Sequence, residues 1–339
     1  MSQRAKIVKM DINLEDQDPG NGQLSGNLDS LVEHEKYGEQ LRCVTEIFMP
    51  LALQLPKLRD DPTMMAEIIK ATASSGITDV ATHADVHVQE QIKQQVLANH
   101  PDWQFWGEEG DDRVTDYDET KGFLFITDPI EGTNNFKAHK DEDWGSVAAL
   151  VDIATKEPVV GVVADPVNRR AYVGVKGGGA YIVHYAEDGS AASYSQMSAE
   201  PEAAEFTYNN SPHFEDDLTG QVDRFFALGT VQPDNLGVDD LEKSRKTLTV
   251  KTRDNEVRFV DLESGALEAV RNRGTIYFKT SNEMAAVFVI LGELGGKVTD
   301  ANGSAWTLGI NTLIAARDAL DYGFLKVMYD KTITVSTGL

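Results

Sequence analysis

Residues 123–136 read FLFITDPIEGTNNF, an apolar run that breaks into two carboxylates around a proline and then into glycine, threonine and two asparagines. A short apolar segment ending in a dense polar turn fits a buried strand whose C-terminal end faces something polar. Asp128 leaves the strand, Pro129 fixes φ, and Gly132 lets the backbone approach a ligand closely. Thr133 then opens what reads as a helix, whose free N–H groups form a natural phosphate cradle. Asp128 and Glu131 are hard oxygen donors placed to hold cations against that phosphate. Taken alone, the stretch would serve equally as a polar turn, so its surroundings decide.

Two more acidic clusters sit at element ends. Upstream, Trp106-Gly107-Glu108-Glu109-Gly110 closes a short apolar segment and by itself reads as a charged turn. Downstream, Ser281-Asn282-Glu283-Met284-Ala285-Ala286 puts a carboxylate in the first turn of an apolar helix, where it would offset the macrodipole. Other motifs fall away. KGGGAY (residues 176–181) follows a strand and leads into another, which makes a β-hairpin and not a dinucleotide fingerprint. His83 and His87 flank Ala84 where a metalloprotease helix carries Glu, and they read as solvent-facing. No Walker loop, GxSxG elbow or Cys–His nucleophile pair occurs.

The chain has 339 residues, enough for one large layered unit or two closely packed domains. Its 31 Lys and Arg against 55 Asp and Glu give a net charge of −24. That balance excludes a nucleic-acid backbone or an anionic membrane as the main partner, since either needs a concentrated basic surface. A small anionic substrate stays compatible where bound divalent cations reverse the local field. Cys43 is the single cysteine, so no disulfide framework or thiolate metal cluster is expected. The opening residues lack the apolar core of a secretory signal and no stretch approaches a membrane span, so a reducing cytoplasm is the expected compartment.

Along the chain, residues 1–28 are acidic and turn-rich, and disorder is expected there. Apolar residues at helical spacing predict a helix from Leu31 to about Leu55, stopped by Pro56. Further helices are predicted over Pro62 to Thr72 and Asp85 to Asn99, joined by a small-residue loop. From Pro101, short β-rich segments predict an antiparallel sheet packed on those helices. The small, acidic stretch around residue 190 suggests a boundary between halves 29–190 and 191–339. In the second half, strand signals alternate with helices at 216–226, 262–271 and 282–294, giving an α/β class with α/β/α layering.

The order of these pieces resembles the inositol monophosphatase superfamily of metal-dependent, lithium-sensitive phosphatases. The family pattern runs Asp, then Glu-Glu, then Asp-Pro-Ile-Asp-Gly-Thr, then Trp-Asp before Ala-Ala and a Gly-Gly exit. Here those positions are Asp85, Glu108-Glu109, Asp128-Pro129-Ile130-Glu131-Gly132-Thr133 and Asn282-Glu283-Met284-Ala285-Ala286. HPDWQFWGEEG, GVVADPVNRRAYVGVKGGGAY and LGGKVTD are similar to family segments in the same order, so the likeness runs from about Leu31 to Asp300.

The resemblance implies a layered α/β/α/β/α sandwich of the inositol monophosphatase/fructose-bisphosphatase type, with a metal-binding first half and a substrate-specificity second half. It implies hydrolysis of a small phosphorylated polyol, sugar or nucleotide by in-line attack of a metal-activated water. Carried over, Glu108, Asp128 and the Ile130 carbonyl would hold a first Mg²⁺. Asp128, Glu131 and Glu283 would hold a second, with a third near Glu108. Thr133, oriented by Asp85, would position and deprotonate the water. Gly132, Thr133 and Asn134 would hold the phosphate, with Lys279 and Arg258 as candidate anion contacts. Specificity would come from Asn209 to Ser211, Asp261 to Ser264 and Lys279 to Asn282, and a homodimer is expected.

Two departures fall on the second metal. The family has Asp where this chain has Glu131 and Glu283, and Trp where it has Asn282. Each extra methylene moves a carboxylate by about 1.5 Å, while Mg²⁺ demands near-octahedral geometry at about 2.0–2.1 Å. Charge is kept at both positions, which favours a rebuilt second site, with Mn²⁺, Ca²⁺ or a shifted Mg²⁺ as its occupant. The competing expectation is a catalytically weak member that binds a phosphorylated ligand.

Overall fold

The computed structural model describes residues 36–72, 78–141, 143–187, 189–209, 247–251, 256–261, 265–277, 282–310 and 312–337. The expected disorder of residues 1–28, the helix over 216–226, and Asn210, Ser211 and Lys279 lie outside the described residues. Helix α1 spans Gly38–Ala52, and its buried stripe is Leu41, Val44, Ile47, Phe48 and Leu51. The run does not continue to Pro56 as expected. It breaks after Ala52, and Pro56 sits in the first turn of the short helix α2, Leu55–Leu58, where a missing N–H costs nothing.

The helix predicted over Pro62 to Thr72 is not formed. Asp61 accepts hydrogen bonds from the Thr63 N–H (2.8 Å) and hydroxyl (2.7 Å), which closes a turn, and Glu67–Thr72 is strand β1. Its β-branched Ile68, Ile69 and Thr72 favour an extended backbone. Strand β1 pairs antiparallel with β2, Thr78–Thr82, so these five residues of the predicted small-residue loop form the second arm of a hairpin. The register slips between Ile69 and Ala71, on either side of Lys70. Helix α3, His83–Asn99, follows at once, capped by Thr82 and Asp85 in a reciprocal capping box.

The first large sheet has seven strands in sequence order: β3 (Trp103–Gly107), β4 (Phe123–Glu131), β5 (Gly145–Asp152), β6 (Glu157–Asp165), β7 (Arg170–Val175), β8 (Gly179–Tyr185) and β9 (Ala191–Gln196). All neighbours are antiparallel except β3 and β4, which run parallel. KGGGAY forms the hairpin turn between β7 and β8, as its flanking strands require. A five-residue helix, α4 (Thr133–Lys137), follows β4.

The second sheet has the order β11-β12-β10-β13-β15-β14. Its strands are β10 (Ala203–Asn209), β11 (Thr247–Lys251), β12 (Glu256–Asp261), β13 (Asn272–Tyr277), β14 (Lys297–Thr299) and β15 (Leu313–Ala316). Strand β10 lies parallel between β12 and β13, and the remaining pairs are antiparallel. Helices α5 (Gly265–Arg271) and α6 (Ala285–Glu293) fill the space between the sheets, and α7 (Ala319–Thr337) packs on β13, β14 and β15. The layers are therefore α/β/α/β/α, the architecture the resemblance implied.

Alternation along β4 shows how one strand serves two cores. Phe125 joins the core filled by α1 and α3, whereas Leu124 and Ile126 join the core filled by α5 and α6. Gly161 on β6 and Gly174 on β7 let α6 lie close on the sheet. A Cβ at Gly161 would fall 2.4 Å from the Ala286 carbonyl oxygen, and one at Gly174 would fall 2.8 Å from the Ile290 Cα. Because α6 begins two residues after Glu283, these glycines also fix where that carboxylate is presented. Gly161→Ala and Gly174→Ala should each cost about 1–3 kcal/mol through overpacking. The check is a lower urea midpoint at unchanged m-value, and a midpoint equal to wild type would show that α6 lifts freely.

Candidate active site

Parallel pairing of β3 and β4 matches Gly107 with Thr127, so Glu108, just past the end of β3, stands beside Asp128, the last regularly paired residue of β4 before its bulge. The Glu108 N–H donates to the Thr127 carbonyl at 3.2 Å and fixes this register past the last pair. Gln89 of α3 clamps the neighbouring residue. Its Oε1 accepts from the Glu109 N–H and its Nε2 donates to the Glu109 carbonyl, both at 2.8 Å. Gly107 has no side chain because the Gln89 amide occupies that space, 2.3 Å from where a Cβ would stand.

Asp85, Glu108, Glu109, Asp128, Glu131 and Glu283 are all buried. Asp85 Oδ2 accepts from the Thr82 N–H (2.8 Å) and hydroxyl (2.5 Å), and its Oδ1 lies 3.2 Å from the Thr133 hydroxyl. The same hydroxyl is 3.1 Å from the Ile130 carbonyl. Asp128 Oδ1 accepts from the Ile130 N–H at 3.1 Å, which folds the Asp-Pro-Ile turn back on itself. Gly132 has φ +90°, and a Cβ there would meet the Asp143 carbonyl at 2.8 Å, so glycine is required twice over. Asn134 is half-buried in the first turn of α4.

Lys70, from the β1–β2 hairpin, reaches into these acids. Its Nζ lies 2.8 Å from Glu108 Oε2 and 2.7 Å from Glu109 Oε1. Arg113 adds a guanidinium contact to Glu108 Oε1 at 3.1 Å and donates from Nε to the Glu108 carbonyl at 2.6 Å. Burial alone would lower the Lys70 pKa, but the charges of Glu108, Glu109 and Asp128 outweigh it and hold the ammonium protonated. Burial, then the Glu108 charge, pushes the Glu109 carboxyl up to about 9, against the pull of Lys70. Burial pushes Asp85 up to about 6, against the pull of its Thr82 hydrogen bonds.

Glu131 is turned elsewhere. Its Oε1 and Oε2 lie 3.1 and 3.0 Å from the Ala266 N–H of α5, and the Tyr277 hydroxyl is 3.4 Å from Oε1. Asn282 Oδ1 accepts from the Gly309 N–H at 2.6 Å, tying the residue before Glu283 to the loop ahead of β15. Among the described residues, no three His, Cys, Asp or Glu side chains converge closely enough to form a metal-ion cage. The structure thus gathers Asp85, Glu108, Asp128, Ile130 and Thr133, and directs the Glu131 carboxylate toward α5. Side chains of Arg258 and Asp261 lie outside the described set, and His83 and His87 are exposed as expected. Sequence reasoning missed Lys70, Gln89 and Arg113. Lys70 was hidden by the helix predicted around it, although a lysine set just after the β-branched Ile68 and Ile69 in EIIKAT was a usable signal.

Removing the ammonium while leaving two buried carboxylates should be costly. Lys70→Met is expected to lose about 3–5 kcal/mol in buffer without divalent cations, read as the shift in urea-unfolding free energy. The raised Asp85 pKa also has a sign. A carboxyl raised in the folded state stabilises fully below its ordinary 3.8 and loses that contribution as pH rises through about 6. From pH 7.5 to 5.5, the cation-free protein should gain about 1 kcal/mol relative to Asp85→Asn. A difference of zero or opposite sign in paired urea titrations would contradict the assignment.

The family model described as "Inositol monophosphatase family" matches residues 40–332. Inositol monophosphatase 1 of Solanum lycopersicum is 32% identical over 114 residues, which cover 33% of this chain and 40% of that protein. The alignment therefore spans well under half of that relative. Among solved structures, the extragenic suppressor protein suhB of Bartonella henselae superposes with a TM-score of 0.61 at 18% identity, over 86% of this chain and 98% of that one. An IMPase of Thermotoga maritima superposes with a TM-score of 0.58 at 20% identity, over 87% and 98% of the two chains. At these identities the superpositions establish the fold. With its sequence matched from residue 40 to residue 332, the chain belongs to the inositol monophosphatase family.

Proposed function

We propose that the protein is a divalent-cation-dependent phosphomonoesterase acting on a small phosphorylated polyol, sugar or nucleotide. The observation that carries this is the Thr133–Asp85 hydroxyl–carboxylate pair, 3.2 Å apart, beside Glu108 and Asp128 at the strand ends. Whether these residues suit a cation is tested by Lys70, whose ammonium is a stand-in ion. It sits directly on Glu108 and Glu109 and feels the charge of Asp128. The position attracts positive charge, and carboxylate and carbonyl oxygens are the donors Mg²⁺ takes.

Glu108, Asp128 and the Ile130 carbonyl would hold Mg²⁺. When bound, such an ion supplies an activated nucleophile near neutral pH and offsets charge on the phosphoryl oxygens. The chain's own groups do the rest. Thr133 Oγ accepts a proton from the attacking water and passes its own to Asp85 Oδ1, whose pKa of about 6 suits a general base near neutrality. The N–H groups of Gly132 and Thr133, with Asn134, hold the phosphate, and the positive φ of Gly132 allows its close approach. No helix among the described residues is long and apolar enough to cross a membrane. Homodimer formation and residence in the cytoplasm belong to the same proposal.

A second reading, a catalytically weak member that binds a phosphorylated ligand, is favoured by the engagement of Glu131 with Ala266. Phosphate release over a panel of phosphorylated polyols, sugars and nucleotides, with Mg²⁺, with Mn²⁺ and with chelator, separates the two. Turnover is expected only with metal. Thr133→Ala should lower kcat by roughly 10²–10⁴-fold, and Glu108→Gln should abolish activity. Calorimetric binding of panel members without metal-dependent turnover of any would establish the second reading instead.

A further inference from the structure

We infer that Glu131 is a positioning residue that ties the first turn of α5 and the end of β13 to the end of β4, and that it is not a ligand of a second cation. Both of its carboxylate oxygens face one backbone N–H, that of Ala266, at 3.1 and 3.0 Å. The Tyr277 hydroxyl approaches Oε1 at 3.4 Å. Glu131 and Tyr277 are buried, so these contacts form away from competing water. The two partners come from distant parts of the chain, 135 and 146 residues downstream of Glu131, one on the helix between the two sheets and the other at the end of a strand of the second sheet.

The side-chain length accounts for the residue type. An aspartate on the same backbone would hold its carboxylate about 1.5 Å short, beyond hydrogen-bonding distance of Ala266. Glutamate therefore spans a gap that aspartate cannot. Gly265 completes the fit, because a Cβ there would lie 2.0 Å from the Tyr277 ring. The ring can rest against the start of α5 only with glycine at that position, and its hydroxyl then comes to Glu131. The carboxylate thus holds the start of α5 against the turn that carries Gly132 and Thr133.

The experiment compares wild type with Glu131→Gln, Glu131→Asp and Glu131→Ala by calorimetric Mn²⁺ titration, thermal melting and inorganic-phosphate binding. Glutamine has the length of glutamate and an oxygen that accepts from Ala266. It should keep the wild-type Mn²⁺ stoichiometry and melt within about 2 °C of wild type. Asp and Ala should melt lower and bind phosphate several-fold more weakly, again at wild-type Mn²⁺ stoichiometry, with Gln restoring both properties. Loss of one Mn²⁺ equivalent in Glu131→Gln at unchanged melting temperature would overturn the inference. So would Glu131→Asp that melts and binds like wild type. The inference rests on the phosphatase proposal only for the meaning of phosphate affinity. If no metal-dependent turnover is found in any form, that proposal falls while stoichiometry and melting still decide the role of Glu131.

Discussion

Four carboxylates, Asp85, Glu108, Glu109 and Asp128, are buried at the ends of two adjacent strands and the start of one helix, and their mutual repulsion is the constraint the site must satisfy. A buried charge without a partner is expensive, and like charges at close range raise one another's pKa. The chain answers with donors and cations from four separate elements. Thr82 and Thr133 serve Asp85, Gln89 holds the Glu109 backbone, and Lys70 and Arg113 serve Glu108. A divalent cation at Glu108 would share that carboxylate with the Lys70 ammonium, 2.8 Å from Oε2.

The scaffold fixes the acids through close backbone approach more than through side-chain bulk. Gly107 makes room for Gln89, Gly132 for the Asp143–Trp144 backbone, and Gly161 and Gly174 for α6. At each of them the chain gives up a side chain to bring a functional element nearer. The cost in backbone entropy is repaid by burial of α6, which is apolar all round, with Ala285, Ala286, Val287, Val289, Ile290 and Leu291 all inside.

Much of this was legible before the structure. The order GEEG, DPIEGT, then an acid before an Ala-rich helix carried the resemblance to the inositol monophosphatases, and that resemblance implied the layered fold. Asp85 and Thr133 were found in the same way. The hairpin was not legible. Residues 62–72 contain both helix-tolerant Met and Ala and the β-branched residues of β1, and local pattern cannot weigh a pairing partner some ten residues on. Missing the hairpin meant missing Lys70, since a helix would have aimed it elsewhere. The direction of Glu131 was illegible for a different reason. Its partner, the Ala266 N–H, is a backbone group, and backbone groups leave no mark in a sequence.

The two glutamates that replace family aspartates need not share one cause. Glu131 has a length explained by what it reaches, a backbone N–H that aspartate would miss. Glu283 stands elsewhere, one residue after Asn282, whose amide oxygen is tied to Gly309, and just ahead of a helix seated on two glycines. Its backbone is thus held on both sides, so the extra methylene there changes only where a carboxylate ends. A site rebuilt by matched lengthening would need both groups to converge on one ion. The hydrogen bonds of Glu131 run instead toward α5, so the lengthening there has a use of its own. On that geometry the lengthening at residue 131 serves the joint between the layers, and no matched change at a second residue is needed to explain it.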